Sequence, residues 1–222
     1  MKLPAIIVNF KIYPNAVGEG ALSLARICEK VALELGVSIG VCVNALDVCS
    51  VAREVKIPVF AQHFDVAGFG SNTGAVNAEM LAAAGVYGSL LNHAERPLSD
   101  NVILQAIEAA KGSGLFTIVC ANDVARGVAV LEMGADLVAV EPPELIGGDI
   151  SISKAQAHVV EEAVLRIGGE RLLVGAGVRD YDDVRLACEM GASGVLLASG
   201  VVKAIDQEGA LRELARGLKT DL

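Results

Sequence analysis

Leu137-Val138-Ala139-Val140-Glu141-Pro142-Pro143 is a short apolar run, half of it β-branched, that ends on a carboxylate and then on two prolines. Such a run reads as a buried strand, and the prolines forbid its continuation. Glu141 therefore sits on a rigid strand end, followed by the loop Glu144-Leu145-Ile146-Gly147-Gly148. Proline at one side and paired glycines at the other give stiff hinges around a mobile tip, which is what a lid closing over a base needs. The same position also suits an exposed acid at an ordinary strand-to-helix turn.

Working outward, the same kind of apolar run recurs along the chain. The spacing predicts strands at Ala5–Asn9, Ser38–Val43, Pro58–Gln62, Tyr87–Asn92, Leu115–Ala121, Leu137–Glu141, Arg171–Ala176 and Gly194–Ala198. Between them lie stretches with apolar residues three and four apart: Ala21–Leu35, Asn101–Lys111, Ser153–Ile167, Asp180–Met190 and Glu208–Leu218. Ser99-Asp100 and Asp180 supply helix starts, while Gly112, Gly134, Gly168 and Gly191 supply stops. Alternating strands and helices with no break in composition predict an α/β fold, a single (β/α)8 TIM barrel over residues 1–222. A doubly wound open sheet is the runner-up.

Composition fits that reading. Of 222 residues 53% are hydrophobic and 24 are Gly, while aromatics are only 4%, so small side chains suit close packing of helices on a sheet. No apolar run approaches the roughly 18 residues of a membrane span. The amino terminus leads directly into the first strand, so no signal-peptide core is expected. Five scattered cysteines, Cys28, Cys42, Cys49, Cys120 and Cys188, read as reduced thiols of a cytoplasmic protein, not as a disulfide framework or zinc site. A net charge of −9 argues against nucleic acid as a partner, but leaves room for a small anion held by local charge.

In a barrel of this kind chemistry gathers at the carboxyl ends of the strands. In several of these predicted strands the apolar run meets a polar residue at its end: Asn9, Asn44, Gln62, Asn92, Asn122 and Glu141. Asn9-Phe10-Lys11 brings a cation suited to a phosphate or a developing oxyanion, or simply a solvated lysine. His93 follows the fourth strand; His63, in Ala61-Gln62-His63, is its rival, and His158 falls on a helix surface. Gly175-Ala176-Gly177 and Ala198-Ser199-Gly200 end strands seven and eight, where small residues let backbone N–H groups approach an anion or merely serve turns.

Together Asn9-Phe10-Lys11, Ala61-Gln62, Thr73-Gly74, Asn92-His93-Ala94-Glu95-Arg96, Val140-Glu141-Pro142-Pro143-Glu144-Leu145-Ile146-Gly147, Gly175-Ala176-Gly177 and Leu196-Leu197-Ala198-Ser199-Gly200 resemble the triosephosphate isomerase family, specifically its short archaeal-type members. The resemblance runs nearly end to end and in family order. It implies interconversion of dihydroxyacetone phosphate and glyceraldehyde 3-phosphate, without cofactor or metal, in glycolysis and gluconeogenesis. It matches Glu141 to the base, His93 to a neutral imidazole electrophile, and Lys11 to the cation that offsets enediolate charge, with Asn9 beside it. Glu95 matches an acid near that lysine. Ile146, Gly147, Gly177, Ala198, Ser199 and Gly200 fall where the phosphate is gripped. Thr73-Gly74 matches an interdigitating loop and implies a homo-oligomer, dimer or tetramer, with the archaeal-type form favouring a tetramer.

The departures are local. Ala94 stands where many members have Ser, and Pro97 where a second Arg is common. Gly148-Asp149 replaces the usual Thr-Gly of the trailing hinge, and Arg179-Asp180 occupies a region that often contacts phosphate. There Arg179 could act by charge and Asp180 could cap the next helix. Two other readings remain open at this point: a different phosphate-binding barrel isomerase or lyase, and a non-catalytic relative used as a binding subunit.

Overall fold

The computed structural model describes residues 1–142, 153 and 156–218. Eight parallel strands form a closed barrel in chain order: β1 Ala5–Asn9, β2 Ser38–Val43, β3 Val59–Ala61, β4 Gly88–Leu91, β5 Phe116–Ala121, β6 Leu137–Val140, β7 Leu172–Val174 and β8 Gly194–Leu197. The open-sheet alternative is excluded by closure: Ala5 of β1 is opposite both Ser38 of β2 and Gly194 of β8. That closure needs a glycine. Gly194 has φ +123°, and a Cβ there would lie 1.9 Å from the Ala5 carbonyl oxygen.

The strands are buried on both faces, which is why they read as nearly unbroken apolar runs. Ala5, Ile7, Cys42, Phe60, Leu90, Ile118, Cys120, Leu137, Ala139, Leu173 and Leu196 pack as the barrel interior. The alternate positions, such as Ile6, Val8, Val41 and Val138, join the larger layer beneath the helices. This period of two carries directly to the site. Asn9 follows Ala5 and Ile7 on the inward parity of β1, and Glu141 follows Leu137 and Ala139 at the end of β6.

The described helices are α1 Glu19–Leu35, α2 Val48–Glu54, α3 Ala78–Ala83, α4 Asp100–Gly112, α5 Val124–Glu132, α6 Ala157–Ala163, α7 Tyr181–Glu189, α8 Ser199–Val202 and α9 Gln207–Arg216. Asp180 caps α7 in a reciprocal box with Asp183, so the capping alternative for Asp180 holds. Ser99 takes the N-cap position of α4 without a side-chain cap bond, and Gly114, not Gly112, makes the left-handed turn beyond it.

The helix expected over Ser153–Ile167 differs from what is observed. Residues 154–155 lie outside the described residues, α6 begins at Ala157, and Val164–Gly168 widens into a π-type turn. That turn drops Ile167 against α5, where a Cβ on Gly127 would stand 2.6 Å from the Ile167 Cδ1. Strands β3, β4 and β7 are shorter than the apolar runs that mark them, because the extended chain leaves the ladder before its apolar residues end.

All five cysteines are free thiols. Among the described residues no helix is long and apolar enough to cross a membrane, and no three His, Cys, Asp or Glu side chains group as a metal site.

Candidate active site

Lys11, just beyond β1, has φ +49°, a left-handed backbone that disfavours a side-chained residue by about 1 kcal/mol. Two side chains hold it there. Asn9 Oδ1 accepts from the Lys11 N–H at 3.0 Å, and Gln62 Nε2 donates to the Lys11 carbonyl at 2.8 Å. Lys11 Nζ then meets Glu95 Oε1 at 2.6 Å.

His93, beyond β4, is 7% exposed. Its Nδ1 accepts the Glu95 backbone N–H at 3.1 Å. A ring nitrogen that accepts cannot carry the proton, so the neutral ring has its N–H at Nε2. Nε2 faces Glu141 Oε1 at 3.9 Å. Burial holds the imidazole pKa below its ordinary value, and the Lys11 charge adds to this against the opposing Glu95. His93 is thus kept neutral and presents one donor to the barrel mouth.

Glu141, first residue past β6, is 4% exposed. Burial pushes its carboxyl up to about 7, opposed by hydrogen bonding from the Cys120 thiol and by Lys11, with Glu95 adding to the rise. Its Oε2 is buried with no hydrogen-bond partner among the described residues. Ala94, where a serine hydroxyl is common in the family it resembles, is exposed and has no hydroxyl to offer. Gly175 makes the space: a Cβ there would stand 2.3 Å from the Glu141 Cγ. A buried carboxylate with one oxygen left without a partner is a stronger base than one in water, as removal of a proton beside a carbonyl requires.

Asn9, Lys11, His93, Glu141, Gly177, Ala198 and Ser199 line one cavity, with Tyr13 and Arg179 also in its wall. Gly200 lines the adjoining cavity with Arg179 and Lys203. Glu95 lies on the other side with Gln62 and His63, next to the exposed segment around Thr73 and Gly74. His63 is engaged with Asp65 at 3.5 Å and does not line the cavity of Glu141; His158 is exposed on α6. Ile146, Gly147 and Gly148-Asp149 lie outside the described residues, as does the lid tip as a whole. Pro142 is buried.

A larger cavity, about 860 Å³, opens at the opposite end of the barrel. Its Asp136 Oδ2 accepts from the Thr117 N–H and hydroxyl at 2.8 and 2.9 Å, which fixes this side chain to the start of β5. Three residues of the site escape sequence reading in their roles. Gln62 props Lys11, Cys120 abuts Glu141, and Tyr13 walls the cavity; only Gln62 carried a signal, as a polar strand end.

A family model described as triosephosphate isomerase matches residues 4–215. The chain is 47% identical over 217 residues to triosephosphate isomerase of Archaeoglobus fulgidus, covering 96% of this chain and 97% of that one. It is 46% identical over 225 residues to the enzyme of Methanopyrus kandleri, covering 99% and 100%. The crystal structure of triosephosphate isomerase from Bartonella henselae matches the fold with a TM-score of 0.73 at 22% identity, over 95% of this chain and 98% of that one.

Proposed function

The chain belongs to the triosephosphate isomerase family, and from that membership we propose that Glu141 is the proton carrier of its reaction, His93 the electrophile and Lys11 the enediolate-binding cation. It is an aldose–ketose isomerase that interconverts dihydroxyacetone phosphate and D-glyceraldehyde 3-phosphate, a step of glycolysis and gluconeogenesis.

The Glu141 carboxylate removes a proton from the carbon beside the carbonyl. The C–H electron pair becomes the carbon–carbon double bond of the enediolate, and the carbonyl pair moves onto oxygen. His93 Nε2–H donates to that oxygen while Lys11 offsets its charge. Proton exchange between the two oxygens, and return of the Glu141 proton to the neighbouring carbon, complete the transfer. Pairing a carboxylate base with a neutral imidazole electrophile is the established pattern of this family. The observation that carries the reading is the Glu95 N–H at 3.1 Å from His93 Nδ1, which leaves Nε2–H facing Glu141.

Glu95 orients Lys11 through their 2.6 Å pair. The phosphate is gripped by Gly177, Ala198, Ser199 and Gly200, with Ile146 and Gly147 from the lid, and Arg179 adds charge to the cavity wall. One catalytic domain accounts for the whole chain. The enzyme works without cofactor in the cytoplasm as a homo-oligomer. Support for the oligomer is the exposed 66–74 segment, where Phe69 is 77% exposed, and the cavity beside Lys11 and Glu95 that a partner's segment would fill. Among oligomers the tetramer is the form that the archaeal-type resemblance favours. A different phosphate-binding barrel enzyme would not need Lys11, His93 and Glu141 together, and a non-catalytic relative would have no reason to keep them.

The test is a coupled assay of glyceraldehyde 3-phosphate isomerisation on purified protein beside Glu141→Gln. Turnover by the unaltered protein no greater than that of the variant would overturn the assignment.

A further inference from the structure

Asn92 has φ +56° and, with Lys11, is one of two residues other than glycine with positive φ among the described residues. Asparagine tolerates this backbone better than most side-chained residues, and here its side chain is fully engaged. Its Nδ2 donates to the Cys120 carbonyl of β5 at 2.8 Å, and its Oδ1 accepts the Leu98 N–H at 2.9 Å. One side chain therefore closes both ends of the loop that follows β4 and ties its root to β5. Inside that loop, the Arg96 N–H bonds the His93 carbonyl at 2.7 Å, and the Glu95 N–H meets His93 Nδ1 at 3.1 Å. The position of that last donor decides which ring nitrogen carries the proton. Cys120, whose carbonyl Asn92 holds, also presents its thiol to Glu141.

We propose that Asn92 is a positioning residue for His93, clamping the 92–98 loop to β5 so that the Glu95 N–H stays on Nδ1 and Nε2–H stays aimed at the substrate oxygen. The inference rests on reading His93 as the electrophile. Without the clamp the turn is free to rotate, the Glu95 N–H leaves Nδ1, and the ring gains a proton more readily. The charged groups facing His93 are Lys11 from the end of β1, Glu95 from its own loop and Glu141 from β6. With Nδ1 unshielded, the two carboxylates favour the imidazolium.

Asn92→Gly keeps the backbone angle and removes both side-chain bonds. In the intact enzyme it is expected to lower kcat roughly 10- to 100-fold with KM within about threefold. The acid limb of the kcat profile should move to higher pH, and the His93 15N signals should lose the single Nε2–H pattern. Asn92→Asp keeps the acceptor for Leu98 but loses the donor to Cys120. It should show the same directions, and it decides the matter if the glycine variant fails to fold. Wild-type kcat, or a fall in activity with an unmoved acid limb and unchanged 15N signals, overturns the proposal. His93→Gln is run beside them. If it is crippled while Asn92→Gly is unaffected, only the clamp is refuted; if it is fully active, the electrophile reading falls and the clamp with it.

Discussion

Replacing Glu141 by Gln should make a protein that is inactive and yet harder to unfold at alkaline pH. The reason is the burial that makes Glu141 a base. Its carboxyl is raised from 4.5 to about 7 in the folded chain, chiefly by desolvation. A raised carboxyl pKa means the folded state holds its proton more tightly than the unfolded state does. Below about pH 4.5 both states are protonated and the residue contributes no pH dependence. Between there and pH 7 the unfolded chain ionises first, so stability falls with rising pH by about 1.4 kcal/mol per pH unit. Above pH 7 the loss levels off. Integrated from pH 5 to pH 8, the wild type should lose roughly 2 to 3 kcal/mol per protomer that the glutamine variant does not lose. The amide's own burial cost does not depend on pH, so it cancels when the two proteins are compared at the two pH values. Guanidinium unfolding at one fixed protomer concentration, for both proteins at pH 5 and pH 8, gives this difference of differences. A value within about 0.5 kcal/mol of zero would refute the idea that desolvation sets the strength of this base.

The same carboxyl sets the pH dependence of activity: kcat/KM should fall on acidification through about pH 7, as the free enzyme's Glu141 takes up its proton, and a plateau reaching pH 5 would contradict the assignment. Lys11→Ala should lower kcat/KM roughly 1,000-fold by removing charge from the enediolate, and unchanged steady-state kinetics would exclude Lys11 from the site. Gly175→Ala places a methyl 2.3 Å from the Glu141 Cγ and should displace the carboxylate. A shift of about 1 Å should lower kcat about 100-fold with the barrel intact by circular dichroism, and full activity would show the carboxylate free to move. Phe69→Asp should reduce the sedimenting mass toward that of one chain, because Phe69 is 77% exposed in the segment argued to reach a partner. An unchanged mass would place the interface elsewhere.

The barrel is legible because its strands are buried on both faces and so stand out as apolar runs; Ala5–Asn9 and Ser38–Val43 are found with the bounds their residues suggest. The short helices Val48–Glu54 and Ala78–Ala83, and the longer Val124–Glu132, are not predicted. The first two, of two turns or fewer, give little apolar periodicity, although Asn77 and Asp123 do cap Ala78–Ala83 and Val124–Glu132 and mark their starts. Within the site, Asn9, Lys11, His93 and Glu141 are legible because a barrel collects strand ends at one mouth. The roles of Gln62 and Asn92 are not. Each acts on a main-chain group 51 or 28 residues away, brought near only by the pairing of strands in the folded sheet. Nor does any neighbour in sequence reveal that Lys11 and Asn92 need left-handed backbones.

The pairing of Lys11 with Glu95 also bears on how substrate arrives. A chain of net charge −9 repels a dianion at long range. The ammonium meant to receive it is held 2.6 Å from a carboxylate, so from a distance that corner of the mouth looks like a dipole and not like a cation. Attraction from that pair begins only within a few ångströms, after the diffusional approach is over. Added salt screens the repulsion before it reaches the attraction. Encounter with a triose phosphate should therefore become faster, not slower, as ionic strength rises from low values.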